Sequence, residues 1–221
     1  MEPTDPDSAD DRGDGHDGAD HEGALGRQLA FLLEADRLKG VERMTLLSDG
    51  SRRENSAEHS WHLALFALVL ADRADDPVDP WRVMAMLVLH DLVEIDAGDT
   101  FAYDDAGHET KAAREQAAAD RLFGLLPGTQ GPALRALWDE FEDARSADAR
   151  FAHALDRLQP VVLNHARGGG PWLEHGVGVE RVLARNRPIA GGSRALWAEA
   201  ERRIRDLEAR GLFPPEQPDG P

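Results

Sequence analysis

Two histidines and two carboxylates, in the order His59, His90-Asp91 and Asp156, are the residues of this 221-residue chain best suited to chemistry. Imidazole nitrogen with carboxylate oxygen is a ligand mixture that suits a divalent transition metal. Glu94 follows one turn after His90-Asp91. Residues three or four apart share a helix face, so His90, Asp91 and Glu94 can point an imidazole and two carboxylates at one cavity. The preceding run Met84-Ala85-Met86-Leu87-Val88-Leu89 is apolar. Burying three such polar groups beside it would be costly without a metal or hydrogen-bonding partners. His59 and Asp156 would join from other helices, so the fold must assemble the site. Taken singly, each histidine reads as an ordinary core or surface residue; the combination points to a metal. Glu94, one turn beyond the His-Asp pair, is the candidate general acid/base, with Asp91 sharing the proton handling.

Three segments carry a resemblance. They are Arg53-Glu54-Asn55-Ser56-Ala57-Glu58-His59-Ser60-Trp61, His90-Asp91-Leu92-Val93-Glu94-Ile95-Asp96-Ala97-Gly98-Asp99 and Ala154-Leu155-Asp156-Arg157-Leu158. Together they resemble the HD-domain metal-dependent phosphohydrolases, in the branch that includes the bacterial 5'-deoxynucleotidases, over about Leu38 to Asn164. The resemblance implies an all-α bundle holding one divalent metal ion (Mn, Co, Mg, Fe or Zn) and a phosphomonoesterase acting on nucleoside 5'-monophosphates, deoxynucleotides above all. It also implies a glutamate at Glu94, an aspartate near the sugar at Asp99 and a phosphate-contacting arginine at Arg43. After Arg43 this chain has Met44-Thr45 where the branch often carries an aromatic, so base stacking is not assured there. Arg53, close to the start of the His59 helix, is a further candidate for phosphate. Arg52 and Lys111 read rather as surface or ion-pair residues.

The elements that must position these groups read as helices between Gly/Pro punctuation, with no convincing run of alternating strand residues. Helices are expected at 24–39, 55–74, 80–95, 108–125, 132–144, 147–167, 177–187 and 192–210. Leu25, Leu29, Leu32 and Leu33 share one face of the first. Asn55 and Glu58 form an Asn-x-x-Glu start signal, Asp79-Pro80 a cap with a first-turn proline, and Pro160 should kink or end the helix that bears Asp156. Trp61, Trp81, Trp138, Trp172 and Trp197 read as packing anchors. The length and the 41% hydrophobic content suit one domain, read as 23–212. A disordered acidic tail at 1–22, with nine Asp/Glu against Arg12, and an extended segment at 213–221 flank it.

With a net charge of −17 and no basic cluster interleaved with aromatics, the composition argues against nucleic-acid polymers as partners. A small phosphate ester remains acceptable, since a metal and a few arginines can supply positive charge locally. The absence of cysteine excludes disulfides and thiolate sites. No run is long and apolar enough for a membrane span and no signal-peptide pattern is present, so a cytoplasmic protein is expected, with a homodimer implied by the resemblance. Two other classes compete. An HD-type di-iron oxygenase would need further ligands such as His108 and His153. A non-catalytic nucleotide sensor would not need both ligands and Glu94.

Overall fold

The computed structural model describes residues 15–99 and 110–214, with side chains from Gly23 onward. Helices dominate. They are α1 (Gly15–Ala35), α2 (Ser56–Leu70), α3 (Pro80–Leu89), α4 (Glu94–Ala97), α5 (Lys111–Phe123), α6 (Gln130–Asp143), α7 (Ala147–Ala166), α8 (Pro171–Glu174), α9 (Val179–Asn186) and α10 (Arg194–Ala209). A short antiparallel hairpin, β1 (Glu42–Leu46) and β2 (Arg53–Asn55), precedes α2, pairing Glu42 with Asn55 and Leu46 with Arg53. Strands of five and three residues are too short to show in an alternation count, and the sequence reading passed over them.

Local signals set several boundaries as expected. Asn55 Oδ1 accepts from the Glu58 amide at 2.9 Å, and the Asn55 amide donates to Glu58 Oε2 at 3.1 Å, a reciprocal cap that starts α2. The Asp79 side chain accepts from the Trp81 amide at 2.9 Å, with Pro80 in the first turn of α3. Ser146 and Ser193 cap α7 and α10 in the same way.

Two boundaries differ, and Pro160 is accommodated within its helix. The expected single helix through Ile95 tightens into a 3-10 turn over His90–Val93 before α4. Pro160 does not end its helix, because α7 continues to Ala166. Proline lacks the amide that would bond the carbonyl four residues back, so the helix loses one rung, at Asp156, and resumes. α1 begins at Gly15, within the segment read as tail; residues 1–14, the 100–109 stretch with His108, and 215–221 lie outside the described residues.

Packing settles what periodicity leaves open and corrects two tryptophans. Leu25, Leu29, Leu32 and Leu33 are all exposed, while α1 docks through Phe31. Arg27 fastens it, donating to the carbonyls of Gly124, Leu125 and Leu126 at 2.9 to 3.1 Å. Trp138 and Trp172 are buried anchors, but Trp61 and Trp81 are exposed. Phe213, assigned to the extended terminus, stacks on Trp172 with ring centroids 6.2 Å apart. The main core gathers Leu63 and Ala67 of α2, Met86 and Leu87 of α3, Phe151 and Leu155 of α7, and Ile204 and Leu207 of α10. Thus α2, α3 and α7 share one core; α2 and α7 each carry a site residue, and the 3-10 turn that follows α3 carries His90 and Asp91.

Candidate metal and phosphate site

His59, His90 and Asp91 are buried against this core. His59 projects from the first turn of α2 and is fully buried; its Nε2 lies 3.0 Å from Asp156 Oδ1 of α7. His90 is oriented by main chain on two sides. Its Nδ1 lies 2.8 Å from the Leu87 carbonyl, and its own carbonyl accepts from Trp138 Nε1 at 3.2 Å. With Nδ1 donating to that carbonyl, Nε2 turns a lone pair toward Asp91 Oδ1 at 3.0 Å and Asp156 Oδ1 at 3.8 Å. This Nε2 is buried and makes no hydrogen bond of acceptable geometry.

A lone pair facing carboxylate oxygens requires a cation between them. In the protein alone a proton serves. Burial by itself lowers the His90 imidazolium pKa, but Asp91 and Asp156 outweigh it and hold it well above the usual histidine range. His59 goes the other way, lowered by burial and by the Arg43 guanidinium against the pull of Asp156. Ligand atoms of His59, His90 and Asp91 lie within 4.8 Å of one another, and Asp156 Oδ1 reaches both imidazoles. Mixed nitrogen and oxygen donors of this kind fit a divalent metal.

The carboxylates of the 90–99 stretch divide sharply. Burial opposes Asp91 ionisation, yet His90 and Arg43 overcome it and bring its pKa down to about 2. Arg43 Nη1 donates to Asp91 Oδ2 at 2.9 Å. Glu94 is also buried, and burial followed by the charge of Asp91 pushes its pKa up to about 8, against the pull of Arg43. Its Oε2 accepts from Ser56 Oγ at 2.6 Å. Asp91 therefore stays ionised, and Glu94 is the carboxyl that holds a proton near neutrality. The charge of Asp91 is felt at Glu94 because the two lie three residues apart across the end of the 3-10 turn.

Above this floor opens a cleft of about 160 Å³, lined among others by Arg43, Asp91, Glu94, Asp99, Lys111 and Asp156. Gly98 ends α4 with φ 74°, a conformation glycine adopts without strain, and this turns Asp99 into the cleft. Burial raises the Asp99 pKa, Arg43 opposing. Lys111 Nζ lies 3.3 Å from Glu115 Oε1 and reaches the cleft, although the sequence reading left it on the surface.

Arg53 is not brought to the site. Successive strand residues face opposite ways, and in β2 it is Glu54 that is buried and Arg53 that is exposed. The sequence reading gave Glu54 no role, although a strand directly before the cap of α2 would have marked it as the inward neighbour of Arg53. Gln159, fully buried on α7 one turn past Asp156, was likewise missed. His153 is committed elsewhere, its Nε2 lying 2.7 Å from the Phe141 carbonyl. His62 Nδ1 lies 3.3 Å from Gln159 Nε2, beside the site and not in it.

Comparison with known proteins bears on this geometry. Residues 35–197 match the HD domain family. A 5'-deoxynucleotidase from Erwinia tasmaniensis is 30% identical over 168 residues, covering 71% of this chain and 84% of that protein. The human 5'-deoxynucleotidase HDDC2 is 30% identical over 135 residues, 61% of this chain, and the match spans 65% of the human protein's length. Among solved structures, a crystal structure described as a predicted metal-dependent phosphohydrolase from Magnetospirillum magnetotacticum superposes with a TM-score of 0.84. It is 49% identical, covering 88% of this chain and 98% of that one.

Proposed function

This chain belongs to the HD domain family, and on that premise we propose that it is a metal-dependent phosphomonoesterase that cleaves nucleoside 5'-monophosphates, deoxynucleotides first, into nucleoside and phosphate. The observation that carries the reading is the buried convergence of His59, His90, Asp91 and Asp156, with His90 Nε2 aimed at carboxylate oxygens and left without a hydrogen bond. The relatives named 5'-deoxynucleotidase support the substrate class.

Those four residues would hold one divalent ion, from among Mn, Co, Mg, Fe and Zn. Such an ion offsets phosphoryl charge and lowers the pKa of water. The protein's own groups do the rest. Arg43, held by Asp91, presents its remaining donors to the phosphate. Asp91, ionised throughout, is a ligand more than a proton carrier, which narrows the shared role expected from sequence. Glu94 then gives a proton to the departing 5' oxygen as the P–O bond breaks, or takes one from the attacking water. Asp99 accepts a hydrogen bond from a sugar hydroxyl, and Lys111 adds charge at the rim.

Against a di-iron oxygenase stands the ligand geometry: among the described residues, His153 is not in the group whose ligand atoms converge, which is His59, His90 and Asp91. No helix among the described residues is long and apolar enough to cross a membrane, and we assign the protein to the cytoplasm. A second copy of the chain is the partner we assign to Trp61, Leu65, Leu68 and Val69 of α2 with Trp81 and Val88 of α3, each between 41% and 72% exposed. Together they offer roughly 600 Å² of apolar surface, close to the ~800 Å² per partner of a stable interface. Light scattering on the full chain should show a dimer, and a monomer would remove that part.

The decisive test is phosphate release from a panel of nucleoside 5'-monophosphates and simple esters. Metal-stripped protein would be reloaded separately with each ion, with Asp91→Ala as control. Metal-dependent release confined to nucleotides and lost in the control is the expected result. Broad ester cleavage would remove the nucleotide assignment, and no release with any ion would overturn the enzyme.

A further inference from the structure

The two histidines of the site are steadied differently. His90 has its Nδ1 settled by the Leu87 carbonyl at 2.8 Å. His59 instead turns Nδ1 toward a side chain, Glu54 Oε1, at 3.6 Å. The same oxygen lies 3.6 Å from Arg43 Nε. All three atoms (His59 Nδ1, Glu54 Oε1 and Arg43 Nε) are buried and without a hydrogen-bond partner. One acceptor thus sits between two donor positions, each just beyond hydrogen-bond reach. Glu54 is only 2% exposed, and its other oxygen is anchored by Gln159 Nε2 at 2.9 Å.

A buried carboxylate without full partners is costly, so its retention here calls for a reason. Chemistry supplies one. An imidazole that binds a cation through Nε2 carries its proton on Nδ1, and in a fully buried ring that proton needs an acceptor. In the protein alone, His59 Nε2 is engaged with Asp156. Once Nε2 is given to a metal, the ring proton faces Glu54.

We propose that Glu54 is a positioning residue whose Oε1 accepts both the His59 Nδ1–H and the Arg43 Nε–H, aiming His59 Nε2 into the site and steadying the Arg43 fork against Asp91. Gln159 braces it from behind. This inference rests on the reading of His59 as a metal ligand. It makes one group serve both ends of the site, the ligand and the phosphate-facing arginine.

The test uses metal-stripped full-length protein titrated with Zn2+ against a chromophoric chelator, comparing wild type, Glu54→Gln and His59→Ala. Glu54→Gln keeps the shape and removes the charge, and its zinc affinity should fall by about 10- to 100-fold. Long-range 1H–15N spectra of the zinc-loaded wild type should show His59 protonated on Nδ1, with that proton resonance shifted in Glu54→Gln. If His59→Ala binds zinc as tightly as wild type, the ligand reading fails and this inference falls with it. Weakened binding in His59→Ala beside unchanged binding in Glu54→Gln overturns Glu54 alone. Should Glu54→Gln fail to fold, the wild-type spectrum decides, since an Nε2-protonated His59 in the zinc-loaded protein would overturn the proposal.

Discussion

On the floor of the cleft, His59, His90 and Asp91 are 0%, 6% and 7% exposed, and their orientations are set by a main-chain carbonyl, a guanidinium and a neighbouring carboxylate. At the rim, Asp99 and Lys111 are only half-buried, and Arg53, a short strand away, faces solvent. Both regions are built of titratable side chains; they differ in the freedom those side chains keep. A charge in the floor has no water to fall back on, so each depends on its neighbours and removing one strands the others. A rim charge keeps part of its hydration, so it can meet a changing ligand but contributes less when lost.

That contrast ranks the consequences of substitution. Asp91→Ala strikes the floor hardest, because it removes a proposed ligand and leaves Arg43 and His90 without their main counter-charge. Phosphate release should drop by about 10³-fold or more and zinc stoichiometry should fall below one, as a metal assay would show. Retained activity would mean that floor and rim are not distinct. Glu94→Gln should lower kcat by about 10²- to 10⁴-fold at unchanged metal content, because it removes the proposed proton carrier and spares the proposed ligands. Arg43→Lys keeps the charge but not the fork, and kcat/KM should decline by about 10- to 100-fold.

The rim should respond less. Asp99→Asn should raise KM by about 2- to 10-fold, the loss of a single ligand hydrogen bond, with kcat little changed. Arg53→Ala is expected to stay within about twofold of wild type in both constants, as a surface change away from the cleft. A larger Arg53 effect in steady-state kinetics would place the substrate across the β1–β2 hairpin.

The floor also has a pH signature in chelator-treated protein. Glu94 binds its proton more tightly folded than unfolded, since burial and Asp91 push its pKa up to about 8 from 4.5. Its favourable contribution is complete below the unfolded pKa and is lost as pH rises through the folded one. Glu94→Gln should therefore melt higher than wild type at pH 9, with the gap closing toward pH 5. A gap independent of pH would show that Glu94 is not the proton-holding carboxyl.

Much of this was legible without coordinates. The Asn55–Glu58 cap, the Asp79-Pro80 start and the bounds of α7 are short-range effects, decided by groups within four residues. The His59, His90-Asp91 and Asp156 set could be picked out because these residue types are improbable beside apolar runs unless something binds them. Glu54 was hidden because strand alternation across three residues gives no periodic signal. The leucines of α1 were legible as one face, but their exposure was not: an apolar stripe says that a helix has a sticky face, and nothing about whether this chain covers it.

Helices, caps and the candidate ligands follow from the order of residues, because periodicity and capping act within a turn or two. Which carboxylate keeps a proton and which loses it could not. Asp91 and Glu94 are three residues apart in sequence and alike in type, yet their pKa values move in opposite directions. Only folding brings Arg43 from the hairpin to Asp91, beside its sequence neighbour His90, and buries Glu94 against Ser56. Burial and the approach of Arg43 from 48 residues away enter that balance, and tertiary structure alone creates both.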